Sequence, residues 1–266
     1  MPSDPSAVLS RPADEPDLVL RWADPVSHGP DGLADVYLPE ISGNLQHAPM
    51  VVALHGGFWR QEYDRRHLRP LAVALRGRGW VVVLPEYRRA GWAATADDIA
   101  LLRRRLPRLL AELAPGRLDP APPTLLGHSA GGQLAIWWAL DAPPAERPGQ
   151  VVALAPVGDL AGAYADGLGG GAVAALLGGG PDEVPEAYRS ADVSARLHAG
   201  ERPGCPLVVL HGTADSQVPV RYAQRLAGAD VRLLPGVEHY GPIDPLSSAW
   251  PDVLAALVRT GGPSTA

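Results

Sequence analysis

Apolar positions in this chain gather into short, nearly unbroken runs separated by stretches of helical or turn character. Met50 to Leu54, Trp80 to Leu84, Gln150 to Leu154 and Leu207 to Leu210 are rich in valine and leucine, the pattern of strands buried on both faces. Pro123-Thr124-Leu125-Leu126 and Val231-Arg232-Leu233-Leu234 add two further strand candidates. Helical spacing follows these runs at about Arg65 to Arg76, after residue 130, at about Pro219 to Gly228, and at about Leu246 to Val258. The longest helical pattern carries Ile99, Leu102, Leu106, Leu109 and Leu113 on one face. Thr95, with Asp98 three residues on, predicts its N-cap and a short capping box, and Pro107 predicts a kink or a split. Strands and helices that alternate in this way predict an α/β fold with a mainly parallel central sheet and helices on both faces.

Ahead of that series the pattern is different. Leu18 to Trp22 and Ala34 to Leu38 alternate around the turn-forming Ser27-His28-Gly29-Pro30-Asp31-Gly32, which predicts an antiparallel pair at a sheet edge. Residues 1 to 17 have no hydrophobic period and are expected to form a loose arm. Residues 18 to 266 then form a single domain. Within it, about residues 158 to 203 show no strand signal and contain Gly167-Leu168-Gly169-Gly170-Gly171 and Gly178-Gly179-Gly180. These glycines do not directly follow a strand and no lysine accompanies them, so a short flexible cap over a pocket is expected rather than a phosphate loop.

Composition narrows the classes of function. The 266 residues carry a formal charge of -6, and all 23 basic residues are arginine. That balance offers no general attraction to nucleic acid or anionic lipid. A single cysteine, Cys205, leaves no internal disulfide framework, in keeping with a reducing compartment. No signal-peptide stretch and no run of about 20 apolar residues occurs. The expectation is a cytoplasmic protein with no membrane and no nucleic-acid partner; its oligomeric state is not indicated.

The chemistry centres on Gly127-His128-Ser129-Ala130-Gly131, which stands between a strand candidate and a helix. It fits the G-x-S-x-G elbow, a sharp strand-to-helix turn that presents a serine hydroxyl. Acyl transfer also needs a base, an acid that orients the base, and N–H donors for the developing oxyanion. Asp215 follows the strand at Leu207 to Leu210, and His239 follows the last strand, so nucleophile, acid and base come in the order Ser129, Asp215, His239. Upstream, His55-Gly56-Gly57 follows the first buried strand, and the amides of Gly57 or Phe58 with that of Ala130 are the candidate oxyanion hole. Trp59, Tyr63, Tyr87, Trp92 and Tyr240 are candidate pocket aromatics, each with packing as the alternative. Asp215 has helix capping as its alternative, and Asp244 is a rival acid. His55 and His128 are expected to fix loops, Arg88 to form a structural ion pair, and Arg103, Arg104, Arg105 and Arg108 to form a solvated face.

With those motifs in hand, the chain resembles the α/β-hydrolase superfamily over residues 18 to 260. His55-Gly56-Gly57-Phe58-Trp59, Glu86-Tyr87-Arg88-Arg89 and Gly127-His128-Ser129-Ala130-Gly131-Gly132 look like those of small esterases related to kynurenine formamidase and the hormone-sensitive-lipase group. Phe58 stands where the lipase group usually has a third glycine, which favours the formamidase side. The resemblance implies a serine hydrolase of small carboxylic esters that needs no metal and no cofactor. Its alternatives are an arylformamidase for N-formylkynurenine-like amides, an acyl transferase or cyclase, and a non-catalytic ligand receptor on the same fold.

Overall fold

A computed structural model describes residues 4, 6–40 and 47–257. The apolar runs become β3 (Met50–Leu54), β4 (Val81–Pro85), β5 (Thr124–His128), β6 (Gln150–Leu154) and β7 (Leu207–Gly212), every residue of which is buried. The alternating runs before them form β1 (Leu18–Arg21) and β2 (Leu33–Tyr37), and β8 (Asp230–Leu234) closes the far edge with most of its side chains in solvent. One eight-stranded sheet results, in the order β1-β2-β4-β3-β5-β6-β7-β8. Pairing is antiparallel from β1 through β2 to β4 and parallel from there on.

Successive strand residues point to opposite faces, so each run feeds two cores. Val52, Leu54, Val81, Val83 and Val209 face one side, where Leu102, Leu106, Leu134 and Ile136 pack. Val51, Ala53, Val82, Leu84 and Leu210 face the other, against Leu68, Leu71, Leu75, Trp250 and Val253. The helices that supply these residues follow α1 (Pro25–His28): α2 (Arg69–Arg76), α3 (Trp92–Leu113) and α4 (Ala130–Asp141), with α10 (Trp250–Ala256) at the end of the described chain. Val258, the expected last residue of that final helix, lies outside the described residues. The helix expected at about Pro219 to Gly228 shortens to α9 (Arg221–Gln224).

Several local expectations change once tertiary partners are present. Helix α3 starts at Trp92 with Gly91 as its N-cap, three residues before Thr95. The Thr95 hydroxyl instead donates back to the carbonyls of Arg88 and Gly91, at 2.8 and 3.1 Å. Asp98 forms no capping box, because its buried carboxylate accepts from the Arg88 amide at 2.8 Å and pairs with the Arg88 guanidinium and with His28. Pro107 does not split the helix; it sits on the exposed face. Nor are the four nearby arginines all solvated. Arg103 is buried and bonds Glu146 and Asp141 at 2.8 and 3.0 Å.

The segment from 158 to 203 is helical, with α5 (Leu160–Ala165), α6 (Ala172–Leu177), α7 (Pro185–Ala191) and α8 (Val193–His198). Asp192 ties its two ends together, accepting from the amides of Leu160, Ala161 and Ala195 at 2.8, 3.0 and 2.9 Å. Gln133 and Trp137 of α4 donate to the carbonyls of Ala191 and Ser190 at 2.9 and 3.0 Å, which seats α7 over the elbow helix. At the other end of the chain, part of the arm expected to be loose packs on the body. Val8 is buried in a 3-10 turn at Ala7–Ser10, and Arg11 makes a two-pronged pair with Asp244, one arm at 2.8 Å. No helix among the described residues is long and apolar enough to cross a membrane.

The first turns after β3 and β4 are joined by a buried charge cluster. Glu86 accepts from His55 Nε2 at 2.7 Å and from the Arg65 amide at 3.0 Å, and it pairs closely with Arg89. Burial alone pushes its carboxyl up, but His55, Arg89 and the Arg65 amide outweigh that and hold it near about 2. A folded value below the ordinary 4.5 means that this stabilisation is complete above 4.5 and is lost as pH falls toward about 2. Glu86→Gln is therefore expected to be less stable than wild type at neutral pH. Denaturant titrations across pH should show that gap narrow as pH drops from 4.5 toward about 2.

Candidate active site

The parallel strands end on one edge of the sheet, where ligands of open α/β sheets bind. Ser129 follows β5 directly with φ 55° and ψ −118°, outside the regions that most side chains adopt. Its amide donates to the Leu154 carbonyl at 2.8 Å, and its carbonyl accepts from Gly132 at 2.9 Å. The turn is possible because its glycines leave no side chain in the way. A Cβ on Gly127 would lie 2.2 Å from the Gly131 carbonyl oxygen, and one on Gly131 would lie 2.1 Å from the Leu54 carbonyl oxygen. Helix α4 begins at Ala130, so its first N–H groups, which have no partner within the helix, stand beside the serine.

Asp215 sits in the loop after β7 and is buried. One carboxylate oxygen accepts from the amides of Gln217 and Val218 at 2.9 and 2.7 Å; the other meets His239 Nδ1 at 2.7 Å. Asp215 does not cap α9, whose N-cap is Val220; its side chain instead holds the turn at Gln217 and Val218 and partners His239. Burial raises the Asp215 carboxyl, but bonds from His211, His239 and the Val218 amide outweigh this and hold it well below the usual carboxylate range. A carboxylate on Nδ1 places the proton there and leaves Nε2 of His239 as the basic nitrogen. Asp244, the rival acid, is taken by Arg11.

His128 contributes in a second way. Its Nε2 lies 3.0 Å from the His239 carbonyl oxygen, and its ring lies 4.7 Å from the His239 ring. Burial, with His239 alongside, pushes His128 well below its ordinary value. A neutral His128 must carry its proton on Nε2 to make that bond, so it anchors the His239 loop without adding positive charge. His55, expected to fix a loop, does so through the Gly56 carbonyl at 2.8 Å as well as through Glu86.

After β3 the backbone takes three consecutive left-handed conformations, at Gly57 (φ 111°), Phe58 (φ 49°) and Trp59 (φ 54°). Such values are costly for Phe and Trp and persist only where the surroundings enforce them. Gly57 is further constrained by Tyr63, whose Cβ would be 2.4 Å from an added Cβ. Ser129, His239, Gly57, Phe58, Tyr63 and Tyr240 all line one cavity of about 170 Å³.

The other three expected pocket aromatics do not line it. Tyr87 is fully buried, stacks on His55 at 4.4 Å and donates to the His55 carbonyl at 2.8 Å. Trp59 turns into the core, and Trp92 packs edge-on against Trp137 while donating to the Ser190 hydroxyl at 3.2 Å. Burying such large apolar rings outweighs presenting them to a wet cavity. In their place come Leu9 from the N-terminal arm, Gly169 from the cap, Arg60, His67 and Gln217. Gln217 had a signal in the sequence, two residues after Asp215, and its side chain accepts from the Tyr240 hydroxyl at 3.2 Å. Leu9 had none. Arg60 hydrogen-bonds the Gly169 carbonyl and so connects the loop after β3 to the cap. His67, buried beside His55, is pushed down to about 3 and stays neutral.

A family model described as BD-FAE matches residues 34–229. Comparison of the sequence with curated proteins gives no significant match. Among solved structures, esterase B from Lactobacillus rhamnosis inhibited by a C4-C4 tributyrin phosphonate is 21% identical, with a TM-score of 0.70 over 95% of this chain and 86% of that one. Thermogutta terrifontis esterase 2 phosphonylated by sarin is 21% identical, with a TM-score of 0.63 over 92% and 91%. An acetyl ester-xyloside bifunctional hydrolase from Caldicellulosiruptor lactoaceticus is 21% identical, with a TM-score of 0.66 over 90% and 94%. At these identities the likeness is one of fold.

The close approach at the elbow makes a direct prediction. Gly131→Ala must push α4 away from the end of β3, and it is expected to destabilise the protein by roughly 2 to 4 kcal/mol. Chemical unfolding of wild type and variant measures the difference.

Proposed function

The chain belongs to the BD-FAE family and has the α/β-hydrolase fold, and from that premise we propose that it is a serine hydrolase of small carboxylic esters. The observation that carries this reading is the His239 to Asp215 bond of 2.7 Å, made where His239 shares a small cavity with a serine held at a strained elbow. In the proposed reaction, His239 Nε2 takes the Ser129 hydroxyl proton as Oγ attacks the ester carbonyl carbon. Asp215 stabilises the resulting imidazolium. The amides of Ala130 and of Gly57 or Phe58 donate to the carbonyl oxygen as it becomes an oxyanion. His239 then protonates the departing alkoxide, and water activated by the same histidine releases the acid from Ser129.

Cavity size supports a short acyl group. About 170 Å³ corresponds to roughly six water molecules at about 30 Å³ each. Tyr63, Phe58 and Leu9 give part of the wall an apolar surface. The three structural neighbours described above are two esterases and an acetyl ester-xyloside hydrolase, which favours an ester over a formamide.

A fluorophosphonate probe is expected to label wild type and not Ser129→Ala, and absence of serine-dependent labelling would sink the proposal. p-Nitrophenyl acetate and butyrate should be turned over at least tenfold faster, by kcat/KM, than the octanoate; faster cleavage of N-formylkynurenine than of either short ester would move the assignment to an arylformamidase. Asp215→Asn is expected to lower kcat by about 10⁴, because an amide no longer holds the required histidine tautomer. Steady-state kinetics on the acetate ester reads that loss.

A further inference from the structure

The residues around the cavity at Ser129 fall into groups that hold one another in place. Arg60 hydrogen-bonds the Gly169 carbonyl, and a Cβ on Gly169 would lie 2.6 Å from the Phe58 ring, so these three form one part of the wall. Leu9 and Tyr240 form another, since both pack against the core that contains Leu68, Ile243 and Trp250. Among the described residues that line the cavity, Leu9 alone comes from ahead of β1.

The segment that presents Leu9 is fixed on both sides of it. Just before, Val8 is 1% exposed, and within the 3-10 turn the Leu9 amide donates to the Ser6 carbonyl at 2.9 Å. Just after, Arg11 grips Asp244 with two prongs, one of them at 2.8 Å. Asp244 ends the turn Gly241–Ile243 that follows Tyr240, so this clamp ties the arm to the same loop that carries His239. Further along, the Tyr37 hydroxyl donates to the Asp14 carbonyl at 3.0 Å, while Arg76 meets Asp14 at 2.6 Å and Arg69 meets Glu15 at 2.7 Å. Exposed ion pairs contribute little one by one. With Val8 buried in the core, they set the path of the chain past the cavity rather than supply most of its hold.

We propose that Leu9 is a specificity-determining residue, carried on a fixed strap beside the cavity, and that its side chain limits the length of the apolar chain an ester substrate can have. This inference rests on the reading of the protein as an ester hydrolase. Leu9→Ala takes an isopropyl group out of the wall, which leaves room for a substrate chain longer by roughly two or three carbons. In an apolar pocket each such carbon changes kcat/KM by roughly tenfold or more.

The test uses the full chain and two substrate series. p-Nitrophenyl acetate, butyrate, hexanoate and octanoate lengthen the acyl chain, and ethyl, butyl and hexyl acetate lengthen the alcohol. Each protein is read by its own ratio of kcat/KM, longer ester over shortest, so that a loss common to all substrates cancels. Leu9→Ala is expected to raise this ratio at least tenfold in one of the two series, and Leu9→Trp to lower it in that same series. Arg11→Gln, which frees the strap from Asp244, should raise it at least threefold. Unchanged ratios in both series for Leu9→Ala, or a ratio that Leu9→Trp raises, would overturn the role of Leu9 and leave the hydrolase reading intact; an unchanged ratio in Arg11→Gln would overturn the strap. Wild type that neither cleaves an ester nor reacts with the fluorophosphonate would overturn both the hydrolase reading and this inference.

Discussion

The backbone approach between the end of β3, the end of β5 and the first turn of α4 is the constraint on which the site depends. The Leu54 and His55 carbonyls come so near Gly131 that a Cβ there would sit 2.1 and 2.4 Å from their oxygens. That proximity brings the loop after β3 beside the start of the helix, and it holds Ser129 in a conformation that an isolated serine would leave. Glycine at 127 and 131 is required by space, because neither is among the positive-φ residues. The strain itself falls on Ser129, Phe58 and Trp59, side chains that the surrounding packing must hold in place.

Buried polar groups maintain this arrangement from below. Glu86 joins the end of β4 to His55 and to Arg65, and so grips the loop after β3 at both ends. Across the elbow, the neutral His128 holds the carbonyl of His239 while Asp215 holds its ring. An unpaired buried charge costs several kcal/mol, whereas a paired and hydrogen-bonded one is tolerated and adds geometric definition. The cluster at Glu86 supplies both pairing and direction, since it carries a histidine, two arginines and a backbone amide on one carboxylate.

Parts of this organisation were readable in the residues alone, for reasons that differ element by element. The strands β3 to β7 were visible because a strand buried on both faces must be apolar throughout, and Val-rich runs admit few other readings. The elbow was visible as a G-x-S-x-G pattern between a strand and a helix, and Asp215 and His239, which the structure brings into contact, stood out as the residue types that acyl transfer would need in that chain order. Local helix signals were less dependable. Thr95 and Asp98 have the spacing of a capping box, yet Arg88 and His28, distant from Asp98 in the chain or on another element, compete for that carboxylate and win through burial. Arg103 looked solvated within a basic run, and only Asp141 and Glu146, brought beside it by the turn after α4, explain its burial.

The wall of the cavity marks the boundary most clearly. Of seven tryptophans and seven tyrosines, Trp59, Tyr63, Tyr87, Trp92 and Tyr240 were the candidates for the pocket. Tyr63 and Tyr240 reach it, whereas Tyr87, Trp59 and Trp92 are withdrawn into the interior. Leu9 and Gly169 arrive from segments without any periodic signal. By itself, the sequence determined the sheet, the elbow and the order Ser129, Asp215, His239, because burial patterns and reaction chemistry are written in residue type and spacing. Which side chains turn toward the cavity was decided only by the tertiary structure, because that choice depends on competition for buried volume and for hydrogen-bond partners among residues far apart in the chain.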